Sequence, residues 1–286
     1  MQVVAPGDSG EACVGRPCAM AVQFLVLVRA TMSFAVPADS YDRYMGRYSR
    51  RLAPLFAHFA RVQSGQRVLD VGCGPGALTV ELASTVGARL VAAADPSPGF
   101  ARACAGRVTG ADVRTAPAEE LPWPDAAFDL VLSQLVLSFV QDADAALREM
   151  LRVARPGGTV ASCTWDYAGE MQMLNTFWRA SLALDPAAPD EARALAYTDP
   201  DSLRELLHRT GLRDIQTAGL VVEVQYVDFA DYWQPFLTGT GPAGQYCVSL
   251  DDRHREALRE ECFRALGAPR GAFTLTARSW AVRGSV

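Results

Sequence analysis

The stretch VLDVGCGPG, Val68 to Gly76, sets three glycines and a proline directly behind a short apolar run. Glycine after a strand marks backbone that must turn where a Cβ would clash, or that must approach a ligand closely. Such loops hold dinucleotides, nucleoside phosphates or S-adenosylmethionine. The segment therefore fixes a strand–loop–helix unit first and leaves three ligand classes to be separated.

The pattern around it repeats. RVLDVG reads as a strand, and GALTVELASTVG has helical spacing of Leu78, Leu82 and Val86. ARLVAAAD is a second strand ending in an acid, SPGFARACAGRV a second helix, and ADVRTAPAEELPWP holds a third short strand and a turn. FDLVLSQLVLSFV contains a buried strand, DADAALREMLRVARPGG a helix with an Asp start and a Pro-Gly-Gly stop, and TVASCTW a fifth strand. Strands alternating with helices imply an α/β fold, a Rossmann-like doubly wound and mostly parallel sheet. Its ligand crevice lies at the carboxyl ends of the strands. That places Gly72–Gly76, Asp95, Ala118–Glu119 and Ser133–Gln134 along one edge.

After Trp165 the rhythm changes. A strand over RDIQTAGLVVEVQYVDF and an alternating terminal strand over GAFTLTARSWAVRG complete seven strands, the last antiparallel. The aromatic, Met-rich segment Met171–Tyr197 and the segment Asp228–Tyr246 are expected to cover the carboxyl edge. MQMLNTFWRA reads equally as core and as pocket wall. The expected division is cap helices over 34–65 and a main domain over 66–286, with 66–165 binding cofactor and 166–286 supplying cover and terminal strands. Residues 1–33 read as an unstructured extension; the rival is an extra packed helix over the apolar run Ala19–Val28. That run falls short of the roughly 20 residues needed to cross a bilayer, so no membrane span is expected.

Composition narrows the partners. With 286 residues and a net charge of -5, the chain carries no basic stripe, which argues against nucleic acid as a partner. Seven cysteines without a CxxC and three scattered histidines argue against a zinc site or a disulfide framework. A reducing, cytoplasmic setting and a small-molecule substrate follow as expectations, with no metal; oligomeric state is not legible.

GCGPGA, Gly72 to Ala77, also satisfies the dinucleotide fingerprint, and Asp95 stands at ribose-binding distance from it. Two neighbours shift the balance. Asp70 would face a pyrophosphate at the strand end, and like charges there repel by a few kcal/mol at ~4 Å for an effective dielectric near 20. Pro75 removes an N–H where phosphate oxygens seek donors. A sulfonium and an ammonium reverse the first sign, which favours S-adenosylmethionine.

VLDVGCGPG, AADPS, APAEELPWPDAAFDLVLSQLVLSFV and LREMLRVARPGGTV, in this order and spacing, resemble the class I S-adenosylmethionine-dependent methyltransferases of the small-molecule, ubiquinone/menaquinone-biosynthesis-like type. The resemblance covers residues 41 to about 165. It implies that Asp70 and the backbone of Gly72, Cys73, Gly74 and Gly76 hold the methionine part of S-adenosyl-L-methionine. It implies that Asp95 accepts both ribose hydroxyls with Pro96 and Ser97 beside the adenine, Ala118 and Glu119 at its far edge, and Ser133 and Gln134 near the sulfonium. Pro117 departs from the pattern, since relatives often carry an acid there for the adenine amino group. YDRYMGRYSRR resembles the cap helix of the same enzymes, with Tyr41, Tyr44 and Arg47 as candidates for the methionine end; the same helix reads equally as plain amphipathic packing.

The implied reaction is in-line methyl transfer to a small-molecule acceptor, driven by proximity and releasing S-adenosyl-L-homocysteine. No catalytic base is legible. A non-catalytic S-adenosylmethionine-binding or regulatory protein stays open for that reason. An NAD(P)-dependent oxidoreductase is a weaker alternative, because no Tyr-x-x-x-Lys is present.

Overall fold

The computed structural model describes residues 37–286. The expected extension over 1–33 and its Ala19–Val28 run lie outside the described residues. The chain enters through a short helix α1 (Ala38–Tyr41), a π-helical turn (Asp42–Gly46) and helix α2 (Arg47–Phe59). There follow β1 (Val68–Val71), α3 (Ala77–Val86), β2 (Val91–Asp95), α4 (Pro98–Arg107), β3 (Asp112–Thr115), β4 (Phe128–Gln134), α5 (Ala143–Val153) and β5 (Ala154–Trp165). The second half contains α6 (Gln172–Leu184), α7 (Glu191–Ala194), α8 (Pro200–Arg209) and β6 (Arg213–Tyr226). It ends with α9 (Phe229–Trp233), a 3-10 segment (Gln234–Thr238), α10 (Gly241–Ser249), α11 (Asp252–Ala265) and β7 (Phe273–Ser285).

The seven strands form one sheet in the order β3-β2-β1-β4-β5-β7-β6. Strands β1 to β5 run parallel, and β7 pairs antiparallel with both β5 and β6. The expected Rossmann-like architecture is therefore found, with the antiparallel final strand inserted beside β5 rather than at an edge. VLDV and VAAAD are buried along their whole length, as strands covered by helices on both faces must be. Helices α2 and α3 contribute Tyr48, Leu52, Phe56, Leu78 and Leu82 to the core on one face; α5 and α8 contribute Leu147, Met150, Leu203 and Leu206 on the other. Strand order reverses between β1 and β4, which opens the ligand crevice at their carboxyl ends.

The strand within FDLVLSQLVLSFV ends at Gln134, at the carboxyl edge where Ser133–Gln134 are expected, because Leu135 turns into the left-handed region at φ 66°. One boundary differs: helix α5 stops at Val153, before the Pro-Gly-Gly. Residues preceding a proline favour extended backbone, so Ala154–Gly158 already belongs to β5.

The segment after β5 extends the core of α2 and α3 with an aromatic cluster. Met171, Met173, Phe177 and Trp178 are all buried, so MQMLNTFWRA serves as core. Phe177 stacks on Phe236 with ring centroids 4.5 Å apart and planes 16° from parallel. Phe236 in turn meets Tyr44 of the cap edge-on at 5.6 Å. The Tyr232 hydroxyl donates to the Met173 carbonyl at 3.0 Å, tying α9 to α6. Phe177→Ala should cost about 3–5 kcal/mol, because a fully buried ring leaves a cavity that stacked neighbours cannot fill. Urea denaturation monitored by tryptophan fluorescence checks it.

Candidate active site

The glycine loop is built by backbone hydrogen bonds to the end of β2. The amides of Gly72 and Cys73 both donate to the Ala94 carbonyl, at 2.8 and 2.9 Å. Gly72 has φ +73°, and a Cβ there would lie 2.4 Å from a Val136 methyl. Only glycine satisfies both constraints. Gly74, at φ +53°, has nothing within 4 Å of where its Cβ would be: its bare face opens toward the crevice. Its amide donates to Asp95 Oδ2 at 2.8 Å, while Asp95 Oδ1 accepts from the Ser97 amide at 2.8 Å. One carboxylate thus closes an Asx turn at the start of α4 and pins the loop of the neighbouring strand. A carboxylate has about four acceptor positions, so both oxygens keep capacity for further donors.

A cavity of about 560 Å³ opens above this loop. Of the residues expected from sequence, Tyr41, Gly72, Gly74, Asp95, Pro96, Ala118, Glu119 and Gln134 line it, and so does Pro117. The others stand behind the wall. Asp70 and Ser133 are buried within the sheet, Gly76 caps α3, and Ser97 caps α4 by accepting from the Phe100 amide. Cys73 points its thiol at the Gly74 carbonyl and packs with Cys104. Arg47 is brought elsewhere: it pairs with Asp231 at 3.1 Å and lies over the Tyr226 ring at 4.5 Å. It therefore joins the cap to β6 and α9 rather than lining the cavity. Tyr44 is buried against Phe236 and Gly241.

Sequence reasoning missed one wall, formed by Phe100 and by the turn from Leu135 to Asp142. The signal was LVLSFVQD, the run that directly follows the expected strand end at Ser133–Gln134. Glu119 braces that turn, since its Oε1 accepts from the amides of Gln141 and Asp142 at 3.1 and 3.4 Å.

The electrostatics favour a cation. Burial pushes the Asp70 carboxyl up to about 7, with the nearby Asp95 adding to it and the Thr79 hydroxyl, donating at 2.7 Å, opposing it. Burial also raises Asp95, against the pull of its two backbone amides. Asp70 Oδ1, Ser133 Oγ and Gln134 Oε1 are buried with no hydrogen-bond partner among the described residues. Unsatisfied buried acceptors are rare in native proteins and each is costly. Here they gather at the carboxyl ends of the paired strands β1 and β4.

Residues 69–162 match the family described as "Methyltransferase domain". The chain is 31% identical over 185 residues to a malonyl-[acyl-carrier protein] O-methyltransferase of Geobacter sulfurreducens, covering 64% of this chain and 68% of the relative. The chain belongs to the class I S-adenosylmethionine-dependent methyltransferases. A second malonyl-[acyl-carrier protein] O-methyltransferase, from Serratia marcescens, is 33% identical over 147 residues, 51% of this chain; the match spans only 56% of that relative's length. The fold also matches a solved putative methyltransferase from an antibiotic biosynthesis pathway of Anabaena variabilis, at TM-score 0.59 and 19% identity, over 82% of this chain and 97% of that one.

The cofactor of this methyltransferase is S-adenosylmethionine, and the residues present fit it. Buried acceptors at the strand ends suit a ligand bringing an ammonium and a sulfonium, and the bare Gly74 face leaves room for close approach. Among the described residues no helix is long and apolar enough to cross a membrane. Gly72→Ala should destabilise the methyltransferase by at least about 1–3 kcal/mol, as overpacking adds to left-handed strain. Comparison of melting curves with and without S-adenosylhomocysteine checks it, the variant gaining far less from ligand.

Proposed function

We propose that this methyltransferase transfers the cofactor methyl to a small-molecule acceptor by in-line displacement. The supporting observation is the group of unpartnered buried acceptors, Asp70 Oδ1, Ser133 Oγ and Gln134 Oε1, beside a cavity of about 560 Å³. In this reading Asp95 accepts from the ribose hydroxyls with the lone pairs that its backbone partners leave. Asp70 and the loop backbone hold the ammonium end, Gln134 and Ser133 face the sulfonium side, and Pro96, Ala118 and Glu119 border the adenine. The bound cofactor supplies an activated methyl on a positively charged sulfur. The chain supplies position and exclusion of water: Tyr41 closes the cavity from the cap, its ring 5.4 Å from that of Phe100. The relatives' printed acceptor, malonyl-[acyl-carrier protein], is not carried over, because the described cavity is taken up by the cofactor in this reading.

Three measurements test the reading. Calorimetry should give micromolar affinity for S-adenosylhomocysteine and no measurable heat with NAD; the reverse would sink it. Asp95→Ala removes charge-assisted bonds worth about 1.5–3 kcal/mol each, so the dissociation constant should rise at least tenfold; an unchanged constant would refute the ribose role.

The third concerns pH. The ligand's ammonium pairs with the ionised form of Asp70, whose carboxyl burial pushes up to about 7. Affinity for S-adenosylhomocysteine should therefore be greatest near pH 8, where both groups are charged, and fall by up to tenfold per unit below 7. Folding has the opposite sign. A carboxyl raised in the native state is destabilising when ionised, and that penalty is complete above its native pKa. Asp70→Asn should thus raise the melting temperature at pH 8 while weakening ligand binding and flattening its pH dependence.

A further inference from the structure

Gln134 ends β4 with a side chain whose two amide atoms are treated unequally. Its Nε2 donates to the Ser49 carbonyl of the cap helix α2 at 3.2 Å. A carbonyl can only accept, so this bond fixes which end of the amide is nitrogen. The opposite end, Oε1, is buried and accepts from no described residue. The residue is 8% exposed and stands on the wall of the cofactor cavity.

The backbone holds this residue from both sides. Gln134 pairs with Cys163 of β5, and the next amide, that of Leu135, donates to the Cys163 carbonyl at 2.9 Å. Leu135 then takes its left-handed conformation, which residues other than glycine adopt where their surroundings impose it. Alternation along β4 puts Gln134 on the same sheet face as Leu132, which pairs with Asp70. On that face Thr79 of α3 bonds to Asp70, and Ser49 of α2 takes the Gln134 amide. Two residues beyond the Asp70–Leu132 pair stand Gly72 and Gln134, both on the cavity wall. The sheet and the cap thus fix a side chain that keeps one oxygen unclaimed.

We propose that Gln134, oriented by the cap, is the residue that favours the charged methyl donor over its neutral product. The proposal rests on the cofactor reading above and adds a discrimination within it. S-adenosylmethionine brings two positive groups. Its ammonium has N–H donors and suits a carboxylate such as Asp70. Its sulfonium has none, and suits an oxygen whose own N–H donors are turned away. The Ser49 carbonyl turns them away. An amide oxygen attracts a cation at close range in a dry site and offers little to a neutral thioether. When the methyl joins the acceptor's electron pair, the sulfur keeps the electrons of the broken bond. The positive charge passes to the methylated acceptor, and Oε1 loses its partner. The cost of a buried unpaired acceptor then returns. Product is thereby weakened relative to donor, which helps empty the site for the next turnover. An amide oxygen takes up no proton at neutral pH, so this role is separate from that of a base.

Calorimetry with S-adenosylmethionine and S-adenosylhomocysteine tests it. The two differ only by a methyl and a charge at sulfur, so contributions of ribose, base and ammonium cancel in the affinity ratio. Gln134→Met, close in length but without the carbonyl, should cut the donor-to-product ratio at least fivefold relative to wild type. Its lost bond to Ser49 affects both ligands alike and leaves the ratio unmoved. Gln134→Glu, which brings a full charge to the same place, should raise the ratio at least threefold at pH 8. A ratio that Gln134→Met leaves unchanged overturns the proposal while the cofactor reading stands. Should Gln134→Met fail to fold or lose both ligands, Gln134→Glu decides, and an unchanged or lowered ratio overturns it. Loss of both ligands by both variants overturns it too, because Gln134 would then hold a part common to donor and product. Failure of wild type to bind either ligand overturns the cofactor reading as well.

Discussion

The bond from the Gly74 amide to Asp95 carries the architecture of the site. Strands β1 and β2 are neighbours in the sheet, but their carboxyl ends splay into different loops. The Ala94 carbonyl takes the first two loop amides and the next residue's carboxylate takes the third. The same carboxylate starts α4 through Ser97. Three independent elements are therefore referenced to one planar group whose remaining lone pairs face the cavity. Burial makes that carboxylate costly, and the backbone amides offset part of the cost before any ligand arrives.

Asp70 shows the other side of the same balance. Thr79 satisfies only one of its oxygens, and its ionised form is held in a buried strand end. A fold selected for stability alone would place an apolar residue there, as the flanking Leu69 and Val71 do. Ser133 and Gln134 repeat the arrangement on the adjoining strand. Polar groups left unsatisfied in this way mark where a ligand's interactions replace those missing from the protein.

Much of this was legible in the sequence. Periodicity and glycine placement identified the alternating strands and helices, because two-faced burial of parallel strands leaves continuous apolar runs that single residues can delimit. Asp70, Pro75 and Asp95 could be read chemically because charge and missing donors act locally. The residues that sequence reasoning misplaced depend on distant packing. Arg47 has the chemistry to hold a carboxylate, and the protein supplies one in Asp231, far along the chain. The turn after Leu135 became a cavity wall through its packing on the loop, where Val136 meets Gly72. Glu191 resembles any surface acid of a helix start until α6 brings Trp178 against it.

The cap is coupled to the loop by a contact equally invisible in sequence. Arg107, in the last turn of α4, donates to the Pro75 carbonyl at 3.0 Å and also pairs with Asp42 in the π-helical turn. Asp42 is shared with Arg50 at 3.0 Å. Pro75, which weakens the loop as a phosphate cradle, thus contributes its carbonyl to the closure of the cap. Tyr41 and Tyr44 flank Asp42 on either side, one on the cavity wall and the other against Phe236. The Arg107 guanidinium therefore references the glycine loop and the π-helical turn to one another, so a shift of the loop at Pro75 is felt at Asp42 in the cap.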